Sequence, residues 1–324
     1  MSNLITGGTG FVGGAIVEQL AVSGKKTRVL ARSTSKVDHL KHLNVDIAIG
    51  DVLDRVSLQR AMQGVDTLYH AAAQYEAWTA DPEGMLETAN QGTRNVMEAA
   101  LAAGVKRVLH TSSAAAFGLP RNQVVSETME SPGPLIDAYY RSKYESEVIA
   151  NSYIAKGLDV VTVNPSNVYG PRDVTKPLGR SIISLLNNQL PALWDANIPI
   201  VYVDDVARAH LLAAERGKAG ECYLLVERNV EFRDFYAYVA KLGGVKLPPF
   251  LPVPAVLAAA FLGEFVSRFT RKPPLASVMQ VRAGTQGTRF DGSKAPRQLG
   301  FEYTSMEMGL SKTIDWYKKQ GLVN

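Results

Sequence analysis

Short apolar runs alternate with helix-length stretches through the first half of the 324-residue chain. That rhythm predicts a parallel sheet wound on both faces by helices. Asn3-Leu4-Ile5 reads as the first strand, Thr27–Ala31 as the second, Val45–Ile49 as the third, Thr67–His70 as the fourth and Arg107–His110 as the fifth; Asp159–Val163 continues the series. Ala15–Leu20, Gly92–Ala103 and Arg141–Lys156 read as helices between them. Beyond Gly170-Pro171 the rhythm loosens and prolines increase, so loops and short helices laid over the sheet are expected. The expected class is α/β, a doubly wound parallel sheet with a smaller, discontinuous C-terminal lobe. Neither an internal repeat nor a low-complexity segment interrupts it.

Composition removes several alternatives. With 46% hydrophobic residues the chain can build a substantial core. A net charge of +4, with lysines and arginines scattered, argues against a nucleic-acid partner. Cys222 is the only cysteine, which excludes an intramolecular disulfide or a thiolate metal cluster and reads as a small buried hydrophobe. His39 and His42 near Asp38 read as a solvated face, and no metal site is expected. The most apolar late stretch, Ala255–Val266, is interrupted by Glu264, follows several prolines and falls short of the ~20 apolar residues of a span, so no transmembrane segment is expected. It retains the composition to touch a membrane or an apolar substrate. Without a basic region and apolar signal ahead of the first strand, the expected location is cytoplasmic.

The first strand runs into Thr6-Gly7-Gly8-Thr9-Gly10-Phe11-Val12-Gly13, followed by a helix. Gly7 permits the tight turn, Gly10 lets the backbone approach a pyrophosphate, and Gly13 permits close helix-to-strand packing. Backbone donors at the helix start then face an anion. A strand before and a helix after make this a dinucleotide site, with Gly7, Thr9, Gly10, Phe11 and Val12 as contacts. The residue ending the second strand selects the dinucleotide: an acid bonds the ribose diol of NAD, a cation the extra phosphate of NADP. Here it is Arg32, followed by Ser33 and Lys36, so NADP(H) is expected, with NAD(H) possible. Asp51 and Val52 follow the third strand, where they can meet the adenine. Ala71, Ala72 and Ala73 end the fourth strand and suit either close backbone approach to the cofactor or plain packing.

Tyr139 and Lys143 stand one helical turn apart. Reducing a carbonyl requires an acid near its oxygen, and a tyrosine with a pKa near ~10 needs a neighbouring cation to exchange its proton near neutrality. Tyr140 has no such partner, since Tyr144 stands four residues on. Ser113, in Thr111-Ser112-Ser113 at the end of the fifth strand, is placed to orient the substrate oxygen, although such residues also serve as turn caps.

Together these pieces resemble the extended short-chain dehydrogenase/reductase (NAD-dependent epimerase/dehydratase) superfamily. The resemblance also rests on Gly50-Asp51, Asn90–Asn95, Asn164-Pro165-Ser166-Asn167-Val168-Tyr169-Gly170-Pro171-Arg172 and Val203-Asp204-Asp205-Val206-Ala207, and it covers nearly the whole chain. Within the superfamily the chain is similar to the branch of dihydroflavonol reductases and 3β-hydroxysteroid dehydrogenase-like enzymes, supported by Arg32, Asp81-Pro82-Glu83 after Trp78, and Phe290-Asp291-Gly292-Ser293-Lys294. It implies a Rossmann fold and Ser113, Tyr139 and Lys143 as the catalytic triad. Thr111, Tyr139, Lys143, Pro165 and Val168 then stand at the cofactor, Asn90 supports the fourth-strand loop, and the protein is a homodimer through the 92–103 and 141–156 helices. Tyr202 stands where relatives often carry histidine, and Asp204 and Asp205 read as caps of the next helix.

Residues 1–170, continued by 198–226, are therefore expected to form the dinucleotide-binding domain, and 171–197 with 227–324 the substrate-binding lobe. Substrate contacts are expected from 117–136, 174–195 and 247–269. In the last, Phe250, Leu251, Val256, Leu257, Phe261, Leu262 and Phe265 line a pocket for an apolar ketone, aldehyde or sterol-like ring or form the lobe's own core, and Arg172 and Arg180 are candidates to grip an anion. The leading expectation is an NADPH-dependent reductase of a hydrophobic carbonyl, or the reverse dehydrogenase, with Tyr139 as acid/base. A nucleotide-sugar epimerase or dehydratase with tightly held NAD is the alternative, and a non-catalytic dinucleotide sensor a further one.

Overall fold

The computed structural model describes residues 2–73, 79, 81–129, 132–270 and 274–323. Its first half is built as β1 (Ser2–Thr6), α1 (Phe11–Val22), β2 (Lys26–Ala31), β3 (Asp46–Ile49), α2 (Arg55–Ala61), β4 (Thr67–His70), α3 (Pro82–Ala102), β5 (Arg107–Thr111), β6 (Val124–Val125), α4 (Ala138–Ser152) and β7 (Val160–Pro165). The second half follows as β8 (Asn167–Tyr169), α5 (Pro177–Leu186), β9 (Asn197–Tyr202), α6 (Val203–Arg216), β10 (Cys222–Leu225), β11 (Arg228–Glu231), α7 (Phe232–Gly243), α8 (Val253–Thr270), α9 (Val278–Thr285), β12 (Arg289–Phe290), α10 (Lys294–Leu299) and α11 (Met306–Lys319). Seven parallel strands form the main sheet in the order β10-β7-β5-β4-β1-β2-β3, which is the doubly wound arrangement of the Rossmann fold. The order reverses between β1 and β4, and a crevice opens there at the carboxyl ends of the strands.

Burial on both faces explains the apolar runs. Leu4 and Ile5 are fully buried neighbours on β1 that point to opposite faces of the sheet. Leu4 joins one cluster with Leu58, Val96 and Val160 beneath α2, α3 and α4. Ile5 joins the other, which continues through Ile16 and Val206 to Tyr169, Phe235, Leu310 and Tyr317. Local signals set the helix starts: Asp54 caps α2 by accepting from Val56 N at 3.0 Å, Asp137 caps α4 by accepting from Tyr140 N at 3.0 Å, and Ser277 and Gln280 form a reciprocal capping box on α9.

Several boundaries differ from expectation for identifiable reasons. The helix expected from Gly92 begins at Pro82, because Asp81 caps it and proline suits a first helical position. The helix expected over 141–156 runs from Ala138 to Ser152 and then tightens into a single 3₁₀ turn. The late region is more regular than loops and short helices: Val253–Thr270 is a single 18-residue helix, long and apolar enough by length and composition to cross a membrane, with most of its surface exposed. Glu264 does not interrupt it, since its carboxylate accepts from Val278 N at 2.8 Å on the neighbouring helix. Asp204 and Asp205 lie inside the first turn of α6 instead of capping it. Asp205 is buried and accepts from Thr304 N at 2.6 Å, so it fastens the segment leading into α11. Tyr202 is a core residue packed on Tyr169, their ring centroids 5.7 Å apart.

The aromatic junction below the cleft should carry much of the stability. Phe235 is fully buried, edge-on to both Tyr169 and Tyr236. Phe235→Ala is expected to cost about 3–5 kcal/mol in urea unfolding, and a loss under ~1 kcal/mol would mean that α7 is not part of the cooperative core.

Candidate functional site

A cleft of about 890 Å³ opens at the β1/β4 switch point. Its floor is backbone. Gly7 turns the chain at φ +75°, and a Cβ there would lie 2.5 Å from Ala72 N. A Cβ on Gly13 would lie 2.2 Å from the Gly7 carbonyl oxygen, so α1 sits directly on the turn. Gly10 holds the cap position of α1 without a side-chain bond to the helix start. Thr9, Gly10, Phe11 and Val12 line the cleft beside it. A passage walled by backbone on both sides and ending on a helix N-terminus fits a pyrophosphate.

Arg32 directly follows β2, exposed and lining the cleft. Ser35 lines it too, whereas Lys36, expected to help, is exposed on the same loop but does not line the cleft; the turn closed by Ser35 N on the Arg32 carbonyl at 2.9 Å brings Ser35 round instead. Asp51 and Val52 line the far end, and the Asp51 carboxylate accepts from Leu53 N at 2.9 Å. Ala71, Ala72 and Ala73 form the wall after β4, with the Ala71–Ala72 peptide pressed against Gly7. Thr111 lines the cleft while its hydroxyl meets His210 Nε2 at 2.9 Å. Pro165 and Val168 close the side at β7 and β8. His70, His110 and His210 lie buried beneath this edge, and burial holds their imidazoles below the usual range, at about 3 for His70 and about 4 for His210. They are neutral near pH 7.

Ser113, Tyr139 and Lys143 converge in the middle of the cleft. The Tyr139 hydroxyl donates to Ser113 Oγ at 3.4 Å, and that oxygen also accepts from Ala115 N at 3.2 Å. Burial pushes the Tyr139 phenol up to about 12, with the Ser113 hydroxyl pulling it back and Asp137 adding to the rise. Burial draws the Lys143 ammonium down to about 8; Glu147 opposes this and Lys176 reinforces it. Tyr140 borders the same cleft but is buried in a core cluster with Val125, Leu224 and Phe290.

Sequence reasoning passed over Glu147. It stands four residues beyond Lys143, so Tyr139, Lys143 and Glu147 share one face of α4. Its carboxylate accepts from Asn164 Nδ2 at 2.7 Å, and Asn164 reaches the Ser113 carbonyl at 3.3 Å. Burial raises the Glu147 carboxyl, while Ser112, Asn164 and Lys143 draw it back. The repeated spacing of four was the available signal. Asn90 donates to Glu145 at 2.6 Å and joins α3 to α4, while most of the loop after β4 that it is expected to support lies outside the described residues. Trp78 lies outside the described residues.

The far half of the cleft is largely apolar, with Leu119, Leu178, Leu193, Trp194, Phe232, Tyr236, Met279 and Phe290 in its lining and Lys176 as a cation. The 247–269 segment contributes none of this lining. Val256 is buried in a small cluster with Val278 and Val281, Phe250 packs against the main core, and Leu251, Phe261, Leu262 and Phe265 are exposed. Arg172 and Arg180 also stay outside the lining: Arg172 pairs with Glu18, and Arg180 is exposed on α5.

A doubly wound sheet with such a cradle and a hydroxyl pair beside a half-buried lysine is the framework of a nicotinamide-dependent oxidoreductase. The chain belongs to the NAD dependent epimerase/dehydratase family, whose signature matches residues 3–225. It is 35% identical over 327 residues to a putative dihydroflavonol 4-reductase of Synechocystis sp. (98% of this chain, 95% of the relative). It is 32% identical over 328 residues to sterol demethylase protein B of Methylococcus capsulatus (100% of each). The crystal structure of gox2253 superposes with a TM-score of 0.87 at 35% identity, covering 100% of this chain and 99% of that one.

Glu147→Gln keeps a partner for Asn164 and removes the anion behind Lys143. Lys143 in this variant is expected to lose its proton well below about 8 when followed by NMR of isotope-labelled lysine; an unmoved midpoint would show that Glu147 does not act on it.

Proposed function

We propose that the protein is an NADPH-preferring reductase of an apolar ketone or aldehyde. One observation carries this reading: the Tyr139 and Ser113 hydroxyls meet where a glycine-rich cradle gives way to an apolar half-cleft. When bound, the dinucleotide supplies the hydride. Gly7, Thr9, Gly10, Phe11 and Val12 hold its pyrophosphate, Asp51 and Val52 its adenine, Ala71 to Ala73, Thr111, Pro165 and Val168 its remaining length, and Arg32 the phosphate that distinguishes NADPH. Ser113 holds the carbonyl oxygen of the substrate by donating to it. Tyr139, protonated across neutral pH because burial pushes its phenol up to about 12, delivers a proton to that oxygen. Lys143 stabilises the phenolate left behind and binds the nicotinamide ribose. The names of two relatives, a dihydroflavonol reductase and a sterol demethylase protein, agree with a substrate of fused or aromatic rings.

Purified protein with NADPH and a panel of aryl ketones, sterol-like ketones, aldehydes and nucleotide sugars tests the reading. Net NADPH consumption with an apolar carbonyl supports it, and sugar conversion without net consumption overturns it. Tyr139→Phe is expected to lower kcat by ~10²–10⁴-fold while NADPH binding persists. Arg32→Ala should weaken NADPH by about tenfold or more and leave NADH nearly unchanged; equal losses would remove the preference. Lys143 has its pKa lowered, so it gives up its charge as pH rises through about 8. The rate of reduction should therefore fall on the alkaline side through that pH, and a rate that climbs there would contradict the assignment.

A further inference from the structure

The outer face of α8 is apolar and its inner face is small. Phe261, Leu262, Phe265, Val266 and Phe269 follow one another at helical spacing, and four of them are more than half exposed. The positions turned inward are Val256 and Ala260, packed with Val278 and Val281 on α9, and the buried Ser267. An amphipathic helix of a soluble domain normally turns its bulky stripe to the core, and here the stripe faces out.

Two further observations say what covers it. The stripe is bordered by Arg268 and Arg282, neither of which pairs with an acid among the described residues. Arg268 is exposed at the end of the helix, and Arg282 on α9 lies over the Phe261 ring at 5.9 Å. Glu264, the only acid of α8, is turned inward onto Val278 N. The inner side of α8 is also joined to the segment that leads to the mouth of the cleft, so the stripe stands beside that mouth. Pro274 packs at Gly263, where an added Cβ would meet its ring at 3.3 Å, and the next residue, Leu275, is 86% exposed and lines the cleft.

We propose that this face docks the protein on an anionic phospholipid surface, with the cleft mouth at the level where apolar molecules dissolve. Aromatic and aliphatic side chains enter the acyl boundary, and Arg268 and Arg282 meet lipid phosphates. The helix lies in the interface and does not span, because its inner face is packed on α9 and its glutamate is bonded there. A second copy is a poorer occupant, since a two-fold pairing along α8 brings the same arginines together. The docking goes beyond the proposed reduction and is measured without turnover, so the two readings fail separately.

The full chain is sedimented with vesicles of phosphatidylcholine alone and of phosphatidylcholine with phosphatidylglycerol. Binding to the mixed vesicles that weakens with salt is expected. The double variant Phe265→Ser with Phe269→Ser should lower the bound fraction about tenfold or more while thermal unfolding and NADPH binding stay unchanged. Arg268→Glu should remove the preference for anionic vesicles. The proposal is overturned if neither vesicle is bound, if the double variant binds as well as the parent, or if light scattering finds a dimer that the double variant dissociates while vesicles are ignored.

Discussion

The site rests on a contact between two backbones. Where β1 passes into α1, Gly7 lies under the Ala71–Ala72 peptide and Gly13 lies on the Gly7 carbonyl, both nearer than any side chain allows. This contact sets the depth of the crevice between β1 and β4 and aims the start of α1 into it. It also constrains more distant parts. With β1 paired to β2 in register from Ser2↔Lys26 to Thr6↔Leu30, the end of β2 places Arg32 at one rim. α1 in turn seats α6, where Gln19 donates to the Asp204 carbonyl at 2.8 Å. A methyl group at either glycine would force α1 or the β4 loop to move, and the rim residues would lose their common origin.

The second framework is α4, which displays Tyr139, Lys143 and Glu147 along about 12 Å of one face. Three devices hold its rotation: Asp137 caps the start, Tyr140 is buried beside Val125 and Phe290, and the bond from Asn90 to Glu145 ties it to α3. Burial then acts on the tyrosine and the lysine in opposite senses. It favours the neutral form of each, raising the phenol to about 12 and lowering the ammonium to about 8. Glu147 restores part of the lysine's charge from behind. The lysine thus keeps a cation beside the phenol over a pH range set by the balance between burial and Glu147.

The sheet was legible because strands covered on both faces must be apolar throughout, and Leu4-Ile5 and Val160–Val163 satisfy that rule. Glycines whose absent side chains have a geometric purpose were legible for a similar reason. Tyr139 and Lys143 could be paired because one helical turn relates them, and the same spacing extended once more reaches Glu147. Features set by partners far along the chain were harder to read. Arg172 is taken by Glu18 and Asp205 by Thr304, pairings that no local spacing announces. The boundary between Ser35 and Lys36 depends on a single turn of loop. Asp81 ahead of Pro82 is a local helix signal, and it carries α3 ten residues earlier than the apolar pattern alone suggested.

α8 shows why apolar content alone does not locate a pocket. Periodicity identifies a stripe but not the side on which the rest of the protein lies, and here small residues settle the matter. Ala260, Gly263 and Ser267 let the helix approach α9 and the Pro274 segment closely, while Glu264 fastens it through one hydrogen bond. The bulky side chains are thereby left outside, and the cleft takes its apolar lining from α5, α7 and α9 instead. An outward stripe adds nothing to the core and lowers solubility in water. Its placement beside the cleft mouth, bordered by cations, therefore belongs to what the protein meets and not to how it folds.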